Sequence, residues 1–193
     1  MRIRPVHCFP FLLAAVLSVA DIQAQTTFHV ENGSFTISGR SNQSDWDVTA
    51  AVVEGSLVLA DSGDPASVTS LEMTVPSGEI KASRGMIMQR VMNESLLPED
   101  YPSITFRLDS VEVPDAPAEG TNLVANGKMT ILETTNDVSI ALMASVDADG
   151  NPSYSGSFPL TMTDYGMKTP TAMFGQLRVH RDISVAFELL FTE

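Results

Sequence analysis

Beyond its first 24 residues the chain holds two histidines, His29 in FHVE and His180 in VHRD, each with a carboxylate two positions on, Glu31 and Asp182. In an extended strand, residues two apart share a face. If the first and last strands pair to close a barrel, these four side chains could meet as a His/carboxylate metal site, the core of a metal-dependent enzyme. The plainer alternative is four surface residues on an acidic protein. Other chemistry is sparse. No Gly-x-Ser-x-Gly, HExxH or phosphate-binding glycine loop occurs. DADGNPSYSGSF offers Asp147, Asp149 and Asn151 at calcium-loop spacing. Gly150 comes too early, however, and Phe158 stands where a bidentate glutamate is needed. A hairpin turn accounts for the stretch. The residues therefore assign no catalytic group, no metal and no cofactor.

The ten methionines are more informative. Met86, Met88 and Met92 cluster in one short segment, and Met73, Met129 and Met162 recur on apolar strand faces. Methionine is flexible and polarizable, so it suits apolar walls that adapt to a guest, although it also fills gaps in ordinary cores.

The elements that carry these residues are mostly strands. Apolar positions alternate at Phe35 and Ile37; Trp46, Val48, Ala50 and Val52; Leu57 and Leu59; and Leu71, Met73 and Val75. They do so again at Ile104, Phe106 and Leu108; Met129 and Ile131; and Val138, Ile140, Leu142 and Ala144. Phe158, Leu160 and Met162, then Ile183, Val185, Phe187 and Leu189, complete the set. Turn chemistry separates them at 61–65, 114–120, Asn126-Gly127, 135–137 and 149–152. About eight or nine strands with one apolar face each, and no βαβ rhythm, predict a mainly β protein: an antiparallel barrel of about eight strands. Such a barrel is filled by side chains or holds one small ligand. One segment breaks the pattern. Met88, Val91, Met92 and Leu96 fall at helical spacing, and Pro98 ends the run. This predicts a helix of about three turns resting on the end or the open seam of the barrel.

The start reads as a secretory signal. Arg2 and Arg4 precede an apolar run over 9–20 and then small residues, with cleavage expected after Ala20 or Ala24. We take 1–24 as the signal and 25–193 as the barrel domain. The run is too short to span a bilayer, so no transmembrane segment is expected in the mature chain. Cys8, the only cysteine, would leave with the signal, so neither disulfide nor thiol chemistry is available. Periplasmic or secreted placement follows. The formal net charge is −13, and loss of the signal leaves 9 basic against 23 acidic residues. That balance excludes nucleic acid as a partner.

Four stretches together resemble the YceI-like family of small exported bacterial proteins: FTISGRSNQSDWDV, GEIKASRGMIMQRVMNESLLPEDYPSITFRLDSV, NLVANGKMTILETTNDVSIAL and FPLTMTDYGMKTPTAMFGQLRVHRDISVAFEL. The resemblance implies a lipocalin-like barrel whose apolar interior holds a polyisoprenoid, such as an isoprenoid quinone, or another long-chain lipid, in a non-catalytic carrier or storage role. Two departures stand out. Ser44 occupies the place before Asp-Trp where one branch often has histidine. Thr163-Asp164-Tyr165-Gly166 lacks the basic residue that much of the family carries before Asp-Phe-Gly. The expected lining is Phe35, Ile37, Trp46, Val48, Met73, Phe106, Leu108, Met129, Ile140, Phe158 and Leu160, with Met88 and Met92 from the helix. The alternatives are the metal-dependent enzyme above and a filled barrel acting as a stress-response or interaction module. Monomer and homodimer are both open.

Overall fold

The computed structural model describes residues 25–82, 85–115, 122–172 and 174–193. The expected signal segment lies outside the described residues. In chain order the elements are β1 (Thr26–Ser41), β2 (Asp45–Ala50), β3 (Glu54–Leu59), β4 (Val68–Pro76), β5 (Ile80–Ala82), α1 (Gly85–Leu96), β6 (Ser103–Glu112), β7 (Leu123–Ile131), β8 (Thr134–Val146), β9 (Pro152–Thr161), β10 (Thr171–Ala172) and β11 (Leu177–Thr192). Eight of them close a ring, in the order β1, β11, β9, β8, β7, β6, β4, β3 and back to β1, with every pairing antiparallel. Closure leaves no long free edge. The alternating faces predicted from sequence become the inside and outside of this ring. In β7, for example, Leu123, Ala125, Gly127, Met129 and Ile131 are buried.

β1 is long enough to hold two neighbours on one edge. Thr26–His29 pairs with β3, whereas Phe35–Arg40 pairs with β2, which in turn carries β5. The wall therefore forks, and α1 lies along the fork. Its Met92 packs with Val48, Ala50, Val75 and Ile80, flanked by Met88 and Leu96. Gln89 acts as a surrogate strand for β5. Its Oε1 accepts the Ala82 amide at 2.9 Å and its Nε2 donates to the Ile80 carbonyl at 3.1 Å. The excursion is sealed at its base, where the Ser77 amide donates to Pro102 O at 2.9 Å and the Ser77 hydroxyl donates to Tyr101 O. The helix ends before Pro98 through Leu97, which adopts a left-handed φ of 46°.

Three local expectations are corrected. Asn126-Gly127 is not a turn but lies mid-strand in β7, because the Phe106 ring of the neighbouring strand lies across Gly127: a Cβ there would come within 2.7 Å of the ring. Residues 135–137 are inside β8. The turn sits one step earlier, at Leu132-Glu133, where Leu132 takes a φ of 54°. Val52 does not continue the β2 face. The strand stops at Ala50, leaving Val52 exposed while Val53 packs on the core.

Candidate functional site

The interior contains two apolar cavities, of about 160 Å³ and about 80 Å³. The larger sits against α1. Phe35, Ile37, Trp46, Val48, Met73, Met88, Met92, Phe106, Met129, Phe158 and Leu160 are all in its wall. The smaller lies deeper and takes Leu108 and Ile140. All thirteen side chains expected to line the barrel thus face one chamber or the other. Phe35, Met73, Phe106, Met129 and Phe158 border both. These three rings and two thioethers form a waist between the chambers. Two of them rest on glycines, Phe106 on Gly127 and Met73 on Gly55, where a Cβ would meet the Met73 sulfur at 2.5 Å.

Sequence reasoning missed further wall residues. Val75, Ile80 and Ile104 border the outer chamber, as do Met162, Met167 and Pro170 from the segment after β9. Of these, Val75 and Ile104 follow the same alternation as their chosen neighbours. Met167 and Pro170 belong to no periodic run, so no pattern marks them. The inner chamber adds Leu57, Tyr154, Phe187 and Phe191.

Fully buried side chains pack the end of the barrel beyond the smaller chamber. Phe191, Leu57 and Leu59 have no exposure, and Phe28 has almost none. Tyr154 meets Phe191 edge to face with ring centroids 5.8 Å apart, and its hydroxyl donates to Pro65 O at 2.9 Å. That bond ties the loop between β3 and β4 to the floor. Burial, with Asp64 adding to it, pushes the Tyr154 phenol well above the ordinary tyrosine range, so it stays a neutral donor.

Among the described residues, no charged side chain borders either chamber. The Ser95 hydroxyl donates back to Val91 O at 3.0 Å. Trp46 Nε1 is the one buried side-chain nitrogen or oxygen among the described residues without a hydrogen-bond partner. The Trp46 indole lies flat on Gly39, its cross-strand partner, where a Cβ would come within 2.3 Å of the ring. Gly39→Ala is therefore expected to displace the indole and destabilise the fold by about 1–3 kcal/mol. A lower Tm together with a shifted emission from this single tryptophan checks it.

The metal quartet does not assemble. β1 and β11 do pair, but antiparallel. His29 stands opposite Thr192, whereas Gly39 stands opposite Ile183, next to Asp182. Ten residues of strand separate His29 from Gly39, roughly 33 Å, so His29 and Glu31 sit at one end and His180 and Asp182 at the other. All four are exposed. Among the described residues no group of three or more His, Cys, Asp or Glu could hold a metal ion. The calcium-like stretch is a hairpin between β8 and β9. Asp147 Oδ1 accepts the amides of Asp149 and Asn151, both at 2.9 Å. No helix among the described residues is long and apolar enough to cross a membrane.

Residues 22–191 match the YceI-like domain family. No curated protein matches the chain. Among solved structures, BcnA of Burkholderia cenocepacia is similar at 16% identity and a TM-score of 0.66, covering 83% of this chain and 96% of that one. A polyisoprenoid binding domain from Saccharophagus degradans is similar at 9% identity and a TM-score of 0.59, covering 85% and 97%. The YceI protein of Campylobacter jejuni is similar at 15% identity and a TM-score of 0.57, covering 80% and 85%. At these identities the likeness is one of fold.

Proposed function

The chain belongs to the YceI-like family, and from that premise we propose that it is an exported, non-catalytic carrier or store for a polyisoprenoid or other long-chain amphiphile. The observation that supports this most is the pair of wholly apolar chambers, aligned along one barrel and meeting at a waist of adaptable side chains. The polyisoprenoid binding activity named for the Saccharophagus degradans neighbour agrees with it.

The physics is nonpolar burial. Each buried CH₂ contributes about 0.8 kcal/mol, so ten carbons in the chambers supply about 8 kcal/mol before the costs of association. A void near 150 Å³ holds a benzene-sized guest. A chain of several isoprene units therefore has to use both chambers, with Met73 and Met129 moving at the waist. Methionine changes rotamer at low cost, which suits that task. Cleavage after residue 24 would deliver the domain to the periplasm or outside the cell.

The test is mass spectrometry of an organic extract from the protein purified out of its own host. A stoichiometric prenyl or acyl lipid is expected. Folded protein without lipid, and without uptake of prenyl chains in vitro, counts against the proposal. One observation favours a filled barrel acting through its acidic outside instead: the void is divided at the waist. Under that reading, added prenyl chains leave the Tm unchanged. Under ours they raise it, by about 2.7 kcal/mol of stability at a hundredfold excess over Kd.

A further inference from the structure

The end of the barrel at the outer chamber exposes apolar side chains that the fold does not use. Phe174 is fully exposed, Met86 is 90% exposed and Ile87 58%. Phe174 sits in the turn between β10 and β11 with a left-handed φ of 56°. That conformation strains a bulky residue, whereas asparagine or glycine adopts it readily. The ring gains no burial in return, so folding supplies no reason for an aromatic there. Met86 and Ile87 open α1, beside Met88 of the chamber wall, and Pro170 of the same wall leads into β10.

The cations gather at this end too. Of the nine Lys and Arg residues in 25–193, seven lie in three runs free of Asp and Glu: 32–44, 80–93 and 165–181. The fold joins these runs. Asn42 Nδ2 donates to Gln176 O at 2.8 Å, and Asn42 Oδ1 accepts the Arg178 amide at 2.9 Å. Val48 of β2 stands opposite both Ile37 of β1 and Ala82 of β5, which leads to α1. Arg40, Lys81 and Arg181 are paired with Asp45, Glu79 and Asp182. Lys168 and Arg178, which flank Phe174 in the chain, have no such pair among the described residues. Arg178 Nε donates to Gly175 O at 3.1 Å, so its guanidinium lies at the Phe174 turn. Asp47, Glu133 and Asp164 also stand at this end, which is thus mixed in charge. The opposite end holds Asp61, Asp64, Asp115, Asp147, Asp149 and Glu193, with no Lys or Arg among the described residues.

We propose that this end of the barrel docks on a phospholipid bilayer, with Phe174, Met86 and Ile87 among the acyl chains and Lys168 and Arg178 on anionic headgroups. Burial of exposed apolar area and attraction of cations to anionic lipid drive such binding together. The apolar groups stand on separate tips, a hairpin turn and a helix start, which enter a fluid layer one by one. A protein partner needs a contiguous patch instead. The chain's net negative charge does not forbid docking. The acidic end lies a barrel's length away, and charges farther than about 8 Å are largely screened at physiological salt. This goes beyond the carrier reading and does not depend on it.

The experiment is flotation of the purified protein with vesicles of phosphatidylcholine, alone or mixed with phosphatidylglycerol. Wild type is expected to bind the mixed vesicles about fivefold tighter. Phe174→Asn suits the left-handed turn, so its Tm should not fall, yet its binding should weaken about tenfold. Lys168→Gln should weaken binding to the mixed vesicles several-fold and leave the other kind unchanged. Val113→Asn, which alters an exposed apolar residue at the acidic end, should bind as wild type. Wild type that floats with neither vesicle overturns the inference, as does undiminished binding of Phe174→Asn or an equal loss in Val113→Asn. A dimer in vesicle-free solution that Phe174→Asn dissolves also overturns it, since the tips would then meet a second copy. Lipid in the organic extract of a protein that ignores vesicles removes this inference alone. Vesicle docking by a protein without bound lipid supports it and counts against the carrier reading instead.

Discussion

Phe191→Ala is expected to lower the unfolding free energy by about 3–5 kcal/mol, the largest loss for any single truncation considered in this barrel. The ring has no solvent exposure. It stands opposite Val30 in the β1–β11 pair that closes the barrel. It also takes the edge-to-face contact with Tyr154, whose hydroxyl fastens the β3–β4 loop. Truncation removes the transfer energy of the ring and leaves a hole, because the surrounding strands are hydrogen-bonded into a ring and collapse only partly. Urea denaturation followed by circular dichroism measures the change. The hole opens into the inner chamber, which Phe191 lines. A longer prenyl chain should therefore restore more stability to Phe191→Ala than to wild type. A loss under about 1 kcal/mol would mean that the floor is not packed as described.

Much of this arrangement is legible in the sequence, for a definite reason. In a barrel with water outside and nonpolar groups inside, every strand has to alternate, and alternation alone assigned the face of Phe35, Ile37, Met129, Ile140, Phe158 and Leu160. The helical spacing of Met88, Val91, Met92 and Leu96 found α1 in the same way. Depth along the barrel is a different matter. Period two says which face a side chain takes and nothing about how far along the axis it sits. Hence Leu108 and Ile140 could not be told apart from Ile37 and Val48, although they belong to different chambers. The histidine quartet failed for the same reason. The first and last strands do pair, as that site required, but the antiparallel register puts the two histidines at opposite ends. Glycine misled where its role was packing: Gly127 has the Phe106 ring over it and makes no turn. The actual turn at Leu132-Glu133 has no glycine or asparagine to announce it. In β6, a register shift between Leu108 and Ser110 lets Val111 face the inner chamber, which breaks the period of two after Leu108.

Met92→Asp is expected to lower prenyl-chain uptake by more than about tenfold while the barrel stays folded, because the two parts of the structure are held by different interactions. The ring of eight strands closes through backbone hydrogen bonds in which α1 takes no part. The helix is held at the fork by Val91 and Met92, both nearly buried, and by Gln89 on the edge of β5. A carboxylate at position 92 would face Val48, Ala50, Val75 and Ile80, with no cation in the chamber wall among the described residues. Its burial unpaired would cost several kcal/mol. An isolated helix of twelve residues is marginal in water, so lifting α1 off the fork is the cheaper response, well before the strands separate. Far-UV circular dichroism should then keep its strand signal. Trp46, no longer covered from the α1 side of the outer chamber, should emit further to the red. Asn93→Asp, on the exposed side of the same helix, is the control and should change neither reading. The outcome that would sink this account is an undocked helix, seen by the emission shift, with lipid uptake unchanged. The wall of the ligand's chamber would then be the barrel alone, and α1 would serve only to cover its seam.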